Sequence, residues 1–73
     1  MNQDYIESLV GKRVKLVKTN DPYTDLVKNE YIGTVYDVKK VNFDGGFIQI
    51  WCRFDNGSNF AIVPECDDIY EVL

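Results

Sequence analysis

Alternating apolar and polar residues predict several short strands along the chain. The clearest alternation lies between Phe47 and Phe54, and a second apolar segment follows after a short polar turn that contains Gly57. β-branched and aromatic residues, which strands favour, dominate the remaining apolar segments. The predicted strands span residues 12–18, 31–40, 47–54, 59–63 and 69–72. Five short strands without a long helical period predict a single all-β domain that closes into a small barrel.

The N-terminal residues have a different pattern from the rest of the chain. Ile6, Leu9 and Val10 follow the i, i+3, i+4 spacing of one helix face, with Asp4 as a candidate N-cap and Gly11 as a stop. We therefore predict a short helical segment over residues 1–10 that covers one end of a barrel formed by residues 11–73.

The hairpin around Asn56 and Gly57 can be assigned a register from its apolar pattern. A two-residue turn would place Phe60 opposite Arg53, whereas a three-residue loop over residues 55–57, with Gly57 left-handed, places Phe60 opposite Cys52. Only the second register collects the apolar residues on one face, because a one-residue slip turns every side chain over. The outward side chains are then Gln49, Trp51 and Arg53, beside Asn59 and Ala61.

The second strand and the loop before it are less regular. Val35 and Val38 cannot share a face without a bulge, so the facing of residues 31–40 stays open, and Gly33 marks a bend or bulge. Residues 19–30 form a long loop that begins with a turn at Asp21 and Pro22. The predicted core consists of Val14, Leu16, Val35, Ile48, Ile50, Cys52, Phe54, Phe60, Ile62 and Ile69.

Composition excludes most catalytic chemistry. The 73 residues include no His, the commonest general base and metal ligand, and no glycine-rich phosphate-binding motif. The two cysteines, Cys52 and Cys66, do not form the disulfide framework of a small secreted domain, and with no His they cannot form an ordinary zinc site. We expect no enzyme activity, no cofactor and no metal, two reduced thiols, and a cytoplasmic protein without a membrane segment.

Charge is distributed unevenly, with a balance of +1 over residues 1–40 and −5 over residues 41–73, which together give the net charge of −4. Nucleic-acid binding draws much of its affinity from a basic surface. The acidic balance therefore disfavours a nucleic-acid partner, although a local basic strip along the first strand would still allow one.

Four segments resemble a small uncharacterised domain family of bacteria, archaea and phages. They are Gly11-x-Arg13-Val14-x-Leu16, Asp21-Pro22-Tyr23-Thr24-x-Leu26, Gly33-Thr34-Val35 and Asp55-Asn56-Gly57-Ser58, followed by Pro64 and Asp67. The resemblance covers residues 11–72 and implies an SH3-like five-stranded barrel, with no catalytic residue to carry over. The chain departs from the family where Phe54 replaces a Trp before the Asp-Asn-Gly loop and where Asn29-Glu30 replaces a Gly. Its segment 39–46 is also longer.

Three non-enzymatic functions fit this pattern. The first is a protein- or peptide-binding module whose long first loop and outward aromatic face supply the contacts. Its candidate partner-binding residues are Asp21, Tyr23, Asp25, Trp51 and Arg53, with the two aspartates providing charge for a basic ligand. The exposed edge of the barrel or the Trp51 face also allows a weak dimer in place of a monomer.

The two alternatives use charge. Single-stranded nucleic-acid binding would use the basic strand face with Trp51 as a stacking ring. The cations for this function are Lys12, Arg13, Lys15, Lys18, Lys39 and Lys40. A small acidic inhibitor that mimics nucleic-acid charge would use the carboxylates of the C-terminal half. Those carboxylates are Asp55, Glu65, Asp67, Asp68 and Glu71.

Overall fold

The five predicted strands are all present, and they form one antiparallel sheet. The computed structural model describes residues 6–43 and 45–73. The strands are β1 (Arg13–Lys18), β2 (Ile32–Val41), β3 (Phe47–Phe54), β4 (Asn59–Ile62) and β5 (Ile69–Val72), and a 3₁₀ turn (Pro64–Cys66) joins the last two. The strand order across the sheet is β4-β3-β2-β1-β5. The all-β prediction is therefore confirmed.

Two finer expectations about the architecture are not met. In the described residues no ladder pairs β4 with β5, which lie at opposite edges of the sheet, so the sheet does not close into a barrel. The N-terminal helix is also not found: among the described residues only Ile6 and Glu7 are helical, and a turn follows in which the Leu9 N–H donates to the Ile6 carbonyl at 3.1 Å. The Gly11 N–H donates to the Val35 carbonyl at 2.7 Å, which joins the chain to the sheet at this point. Asp4, the expected cap, lies outside the described residues.

A β-bulge in β2 resolves the facing that the alternation left open. Val35 pairs with Cys52 and Asp37 pairs with Trp51, so Tyr36 is the extra residue. The bulge places Val35 and Val38 together against the core while the two residues between them face outward. Gly33, expected at a bend or bulge, instead allows a close approach to β3, because a Cβ at this position would lie 2.4 Å from the Arg53 carbonyl oxygen.

The β3–β4 hairpin has the register that the apolar pattern predicted. Cys52 pairs with Phe60 and Ile50 with Ile62. The Phe54 N–H donates to the Ser58 carbonyl at 2.8 Å, and Gly57 has a left-handed φ of 93°. The three-residue loop is therefore confirmed.

The core lies against one face of the sheet and contains most of the predicted residues. Fully or nearly fully buried are Ile6, Leu9, Val14, Leu16, Tyr31, Val35, Ile50, Cys52, Phe54 and Ile62. Ile48 and Phe60 were also predicted and pack against this cluster while partly exposed. Ile69 was wrongly assigned to the core and is 49% exposed, because Tyr70 is the residue that pairs with Leu16 and shares its inward face.

Three aromatic rings fill one end of the core. Tyr31, which the alternation did not assign to it, packs edge-on against Phe54 with ring centroids 5.5 Å apart, and Phe60 lies 4.7 Å from Phe54. Such ring pairs add to the free energy gained from burial alone. This end of the sheet is thereby held together around the β3–β4 hairpin.

Candidate binding face

Polar and aromatic side chains that are not part of the core lie together on the outward face of β2, β3 and β4. Trp51 lies between Asp37 on β2 and Ala61 on β4, and Arg53 lies between Thr34 and Asn59. Because side chains alternate along a strand, both residues point away from buried Ile50 and Cys52. The predicted outward facing of Trp51 and Arg53 follows from this confirmed register.

Tyr36 is held across this face in a fixed position. Its hydroxyl donates to the Asn59 side-chain oxygen at 2.8 Å, so the ring extends from β2 over β3 to reach β4. The Arg53 guanidinium carbon lies 5.1 Å from the centre of the ring, within the range of a cation–π interaction. The β-bulge places both Tyr36 and the next residue, Asp37, on the outward side of β2.

Trp51 forms a second aromatic–cation pair on the same face. Its indole N–H donates to the Gln49 side-chain oxygen at 3.2 Å, and the Lys39 ammonium lies 5.6 Å from the ring centre. Lys39 is also 3.9 Å from the Asp37 carboxylate. We call the six side chains of these two groups the outer aromatic face. They are Tyr36, Lys39, Gln49, Trp51, Arg53 and Asn59.

An ion pair borders the outer aromatic face. Arg13 on β1 donates to the Asp55 carboxylate in a bidentate contact, with one N···O distance of 2.9 Å, and to the Thr34 hydroxyl at 3.2 Å. The hydrogen bonds from Arg13, together with its charge, hold the pKa of Asp55 below its usual value. Arg13 therefore has a carboxylate partner within the fold.

The long loop lies apart from the outer aromatic face. Asp21 accepts hydrogen bonds from the Tyr23 N–H at 3.0 Å and the Thr24 hydroxyl at 3.0 Å, and Asp25 accepts from the Val27 and Lys28 amides. These local bonds are the Asx-type contacts that set turns. In the described residues no hydrogen bond, ion pair or ring contact joins Tyr23, which is 93% exposed, to Trp51. The structure therefore brings Trp51 and Arg53 together, but not with Asp21, Tyr23 and Asp25.

A surface groove lies between β1 and the end of the long loop. It has a volume of about 560 Å³, and its lining includes Lys15, Val17, Leu26, Val27, Glu30 and Glu71. The lining mixes both signs of charge with apolar side chains, and Lys15 is directly opposite Glu71 in the β1–β5 pairing. The first-strand cations thus have acidic neighbours: Lys15 faces Glu71, and Arg13 binds Asp55.

Several C-terminal carboxylates are used inside the fold. Asp68 accepts hydrogen bonds from the Thr19 hydroxyl at 2.7 Å and from the Val63 N–H at 2.9 Å, and Glu65 accepts one from the Ile48 N–H at 3.3 Å. Asp67 has a left-handed backbone at the end of the 3₁₀ turn, where its N–H donates to Pro64. These residues join the long loop, the turn and β3.

Burial and placement decide whether the two cysteines and the carboxylates of the described residues could act as nucleophiles or metal ligands. Cys52 and Cys66 are both free, and burial raises the pKa of the Cys52 thiol to about 12. A thiol with such a high pKa carries almost no thiolate at neutral pH and is a poor nucleophile. Among residues 6–43 and 45–73, no group of three or more candidate ligands could hold a metal ion.

Comparisons of the chain with protein-family models, curated proteins and solved structures gave no match. Within the described part of the chain, no helix has the length and apolar character needed to cross a membrane.

Tyr36 and Asn59 are two members of the outer aromatic face that the apolar pattern does not predict as site residues. The signal for Tyr36 was the spacing of Val35 and Val38, which requires a bulge to bring both valines inside and so turns Tyr36 outward. Asn59 had been placed beside the outward residues, but its bond to Tyr36 joins two strands that are not neighbours. No local pattern carries that information.

Proposed function

We propose that the chain is a non-enzymatic module that binds a protein or peptide through the outer aromatic face. One observation carries the proposal: Trp51 packs on the outward side of β3, opposite the core, with its indole N–H bonded to Gln49. Trp and Arg are enriched among the residues that dominate binding energy at protein interfaces. A ring already held by its neighbours loses little conformational entropy when a partner binds.

The long loop supplies a second contact region in this proposal. Tyr23 is almost fully exposed, and the bonds to Asp21 hold the backbone on either side of it. An exposed aromatic ring on an ordered turn is a suitable anchor for a partner. In this proposal, Asp21 and Asp25 shape the loop. Their charges are also available to a ligand.

The proposed class is an SH3-like domain related to the small prokaryotic and phage family named above. Support comes from the strand order, in which the first strand lies between the second and the last, and from the Asp55-Asn56-Gly57-Ser58 turn. A cytoplasmic location is also part of the proposal, supported by two free thiols of which Cys66 is exposed. The absence of enzyme activity is proposed on the absence of His and on the high pKa of Cys52.

The two alternative functions have weaker support. Nucleic-acid binding along β1 needs free cations, but Arg13 is paired with Asp55 and Lys15 lies opposite Glu71. Charge mimicry needs carboxylates that project to a partner, but Asp68 accepts two hydrogen bonds from within the fold. On the outer aromatic face Lys39 is close to Asp37, but Arg53 has no carboxylate partner in the described residues.

The test is selection from a random peptide display library with the wild-type protein, followed by binding measurements with the Trp51→Ala variant. We expect selected peptides to lose about tenfold or more in affinity for Trp51→Ala, the loss typical of an interface anchor. Phe43→Ala is the matched control, since Phe43 is an aromatic residue 67% exposed outside this face. The Tyr23→Ala variant measures how much the long loop contributes to peptide affinity. Selected peptides that bind wild type and Trp51→Ala equally would contradict the proposal.

A further inference from the structure

The two arginines on the outward side of the sheet differ in their partners. Arg13 is bound in a bidentate contact by Asp55, whereas Arg53 lies over the Tyr36 ring. Within residues 6–43 and 45–73, Arg53 has no carboxylate within ion-pair distance and its side chain makes no hydrogen bond. A guanidinium packed against a ring keeps its in-plane N–H groups available, and these match a carboxylate in geometry.

The outer aromatic face is also locally basic on an acidic protein. It contains Lys39 and Arg53, and the nearest carboxylate recorded for either is Asp37, 3.9 Å from the Lys39 ammonium. The chain as a whole has a net charge of −4. Asp68 accepts a hydrogen bond from Thr19 in the long loop, and Glu65 accepts one from the Ile48 N–H near the start of β3. With Asp37, which lies opposite Trp51 in the pairing, the surface around Trp51 has two cations against one carboxylate and so still differs in sign from the molecule as a whole.

We propose that the outer aromatic face binds an extended acidic peptide, with Arg53 donating to a carboxylate side chain and Trp51 packing on an apolar side chain of the ligand. This inference rests on the proposed function and names its partner by charge. Arg53 and Trp51 are two residues apart on one strand face, which separates their Cα atoms by about 7 Å. An extended peptide repeats at the same distance, so its acidic and apolar residues are two positions apart.

A nucleic acid is the less favoured ligand for the same face. Affinity for a polyanion depends on releasing counterions from several phosphates, which requires several cations along the binding surface. The face offers two, and the net charge of the chain repels a polyanion at longer range. A single carboxylate needs only one guanidinium.

The first test uses Trp51 as the reporter, because it is the only Trp in the chain. Collisional quenching of its fluorescence by iodide and by caesium is measured at constant ionic strength, each relative to N-acetyl-tryptophanamide. We expect iodide, the anion, to quench the protein more effectively than caesium on this relative scale, since local positive charge concentrates anions. Stronger relative quenching by caesium would overturn the proposal.

Two variants make this test specific. Arg53→Gln is expected to remove the preference for iodide, while Arg13→Gln, which makes the same change of charge at the paired arginine, is expected to keep it. Thermal unfolding of both variants checks that each is folded. An unchanged preference in folded Arg53→Gln would overturn the assignment of Arg53 as the anion donor.

The second test compares short peptides that carry Leu and, two positions later, Glu, Gln or Lys. We expect the Glu peptide to bind wild type about tenfold more tightly than the Lys peptide, and Arg53→Gln to abolish the difference. Display ligands that depend on Trp51 but lack acidic residues would overturn this inference and leave the proposed function standing. A display selection with no Trp51-dependent ligand would overturn both this inference and the proposed function. If a single-stranded oligonucleotide bound in a Trp51-dependent way and more tightly than the Glu peptide, the ligand of this face would be a nucleic acid and the inference would be overturned.

Discussion

The two faces of β3 (Phe47–Phe54) differ sharply although they come from the same eight residues. On the inner face, Ile50, Cys52 and Phe54 are at most 3% exposed and contact the rest of the core. On the outer face, Trp51 contacts Gln49 and Lys39, and Arg53 lies over the Tyr36 ring. Burial of the inner face therefore holds the fold together. The side chains of the outer face are not needed for the core and are available for a partner.

The largest expected effect separates the two faces by their contribution to stability. Ile50→Ala removes a fully buried side chain, so we expect a loss of about 2–5 kcal/mol in the free energy of unfolding. Trp51→Ala, on the same strand, should cost clearly less despite removing more atoms, because its ring lies outside the core. Urea unfolding followed by circular dichroism gives both values. A cost for Trp51→Ala equal to that for Ile50→Ala would show that the outer ring is structural.

A smaller effect is expected from loosening the outer face without removing a ring. Tyr36→Phe deletes only the hydroxyl that donates to Asn59, so we expect a loss of about 0.5–1.5 kcal/mol in stability. Because the ring is then free to move away from Arg53, affinity for a selected peptide should also fall. Asn59→Ala is the matched change at the acceptor and should give a similar loss. Binding that is unaffected in both variants would mean that the face needs no fixed Tyr36.

The smallest effect concerns the ion pair that borders the outer face. The Arg13 hydrogen bonds hold the pKa of Asp55 below its usual value of about 3.9. A carboxyl group with a lower pKa in the folded state stabilises the fold above its unfolded pKa, and this stabilisation is lost as the pH falls through the folded pKa. We therefore expect Asp55→Asn to reduce slightly the loss of stability on acidification below about pH 4, measured by thermal unfolding at several pH values.

The matched control for that prediction is Asp25→Asn, which removes a carboxylate from the long loop. Asp25 accepts hydrogen bonds only from local amides and has no cation partner in the described residues. If the pH dependence of stability changed equally in both variants, the Arg13–Asp55 contact would have no specific effect on stability at low pH.

Much of the candidate site could be predicted because it depends on one hairpin. The outward facing of Trp51 and Arg53 followed from the choice of a three-residue loop, and that choice needed only the apolar pattern on either side of Gly57. Tyr36 could not be assigned, since a bulge shifts the alternation by one residue and its position depends on the partner strand. The expectation that Asp21, Tyr23 and Asp25 lie beside Trp51 rests on the likeness to SH3-like barrels, which present a long first loop beside outward aromatic residues; in the described residues no contact joins Tyr23 to Trp51.

The strands, the hairpin register and most of the core can be predicted from the amino-acid sequence. These features depend on local periodicity, because a strand must turn its apolar residues to one side and a left-handed turn needs a residue such as Gly57. Three further features became known only from the folded chain: the sheet stays open between β4 and β5, Ile69 faces outward, and Tyr36 reaches Asn59 across a whole strand. Those outcomes depend on which segments meet in space, and contacts between residues far apart in the chain leave no period in the sequence to read.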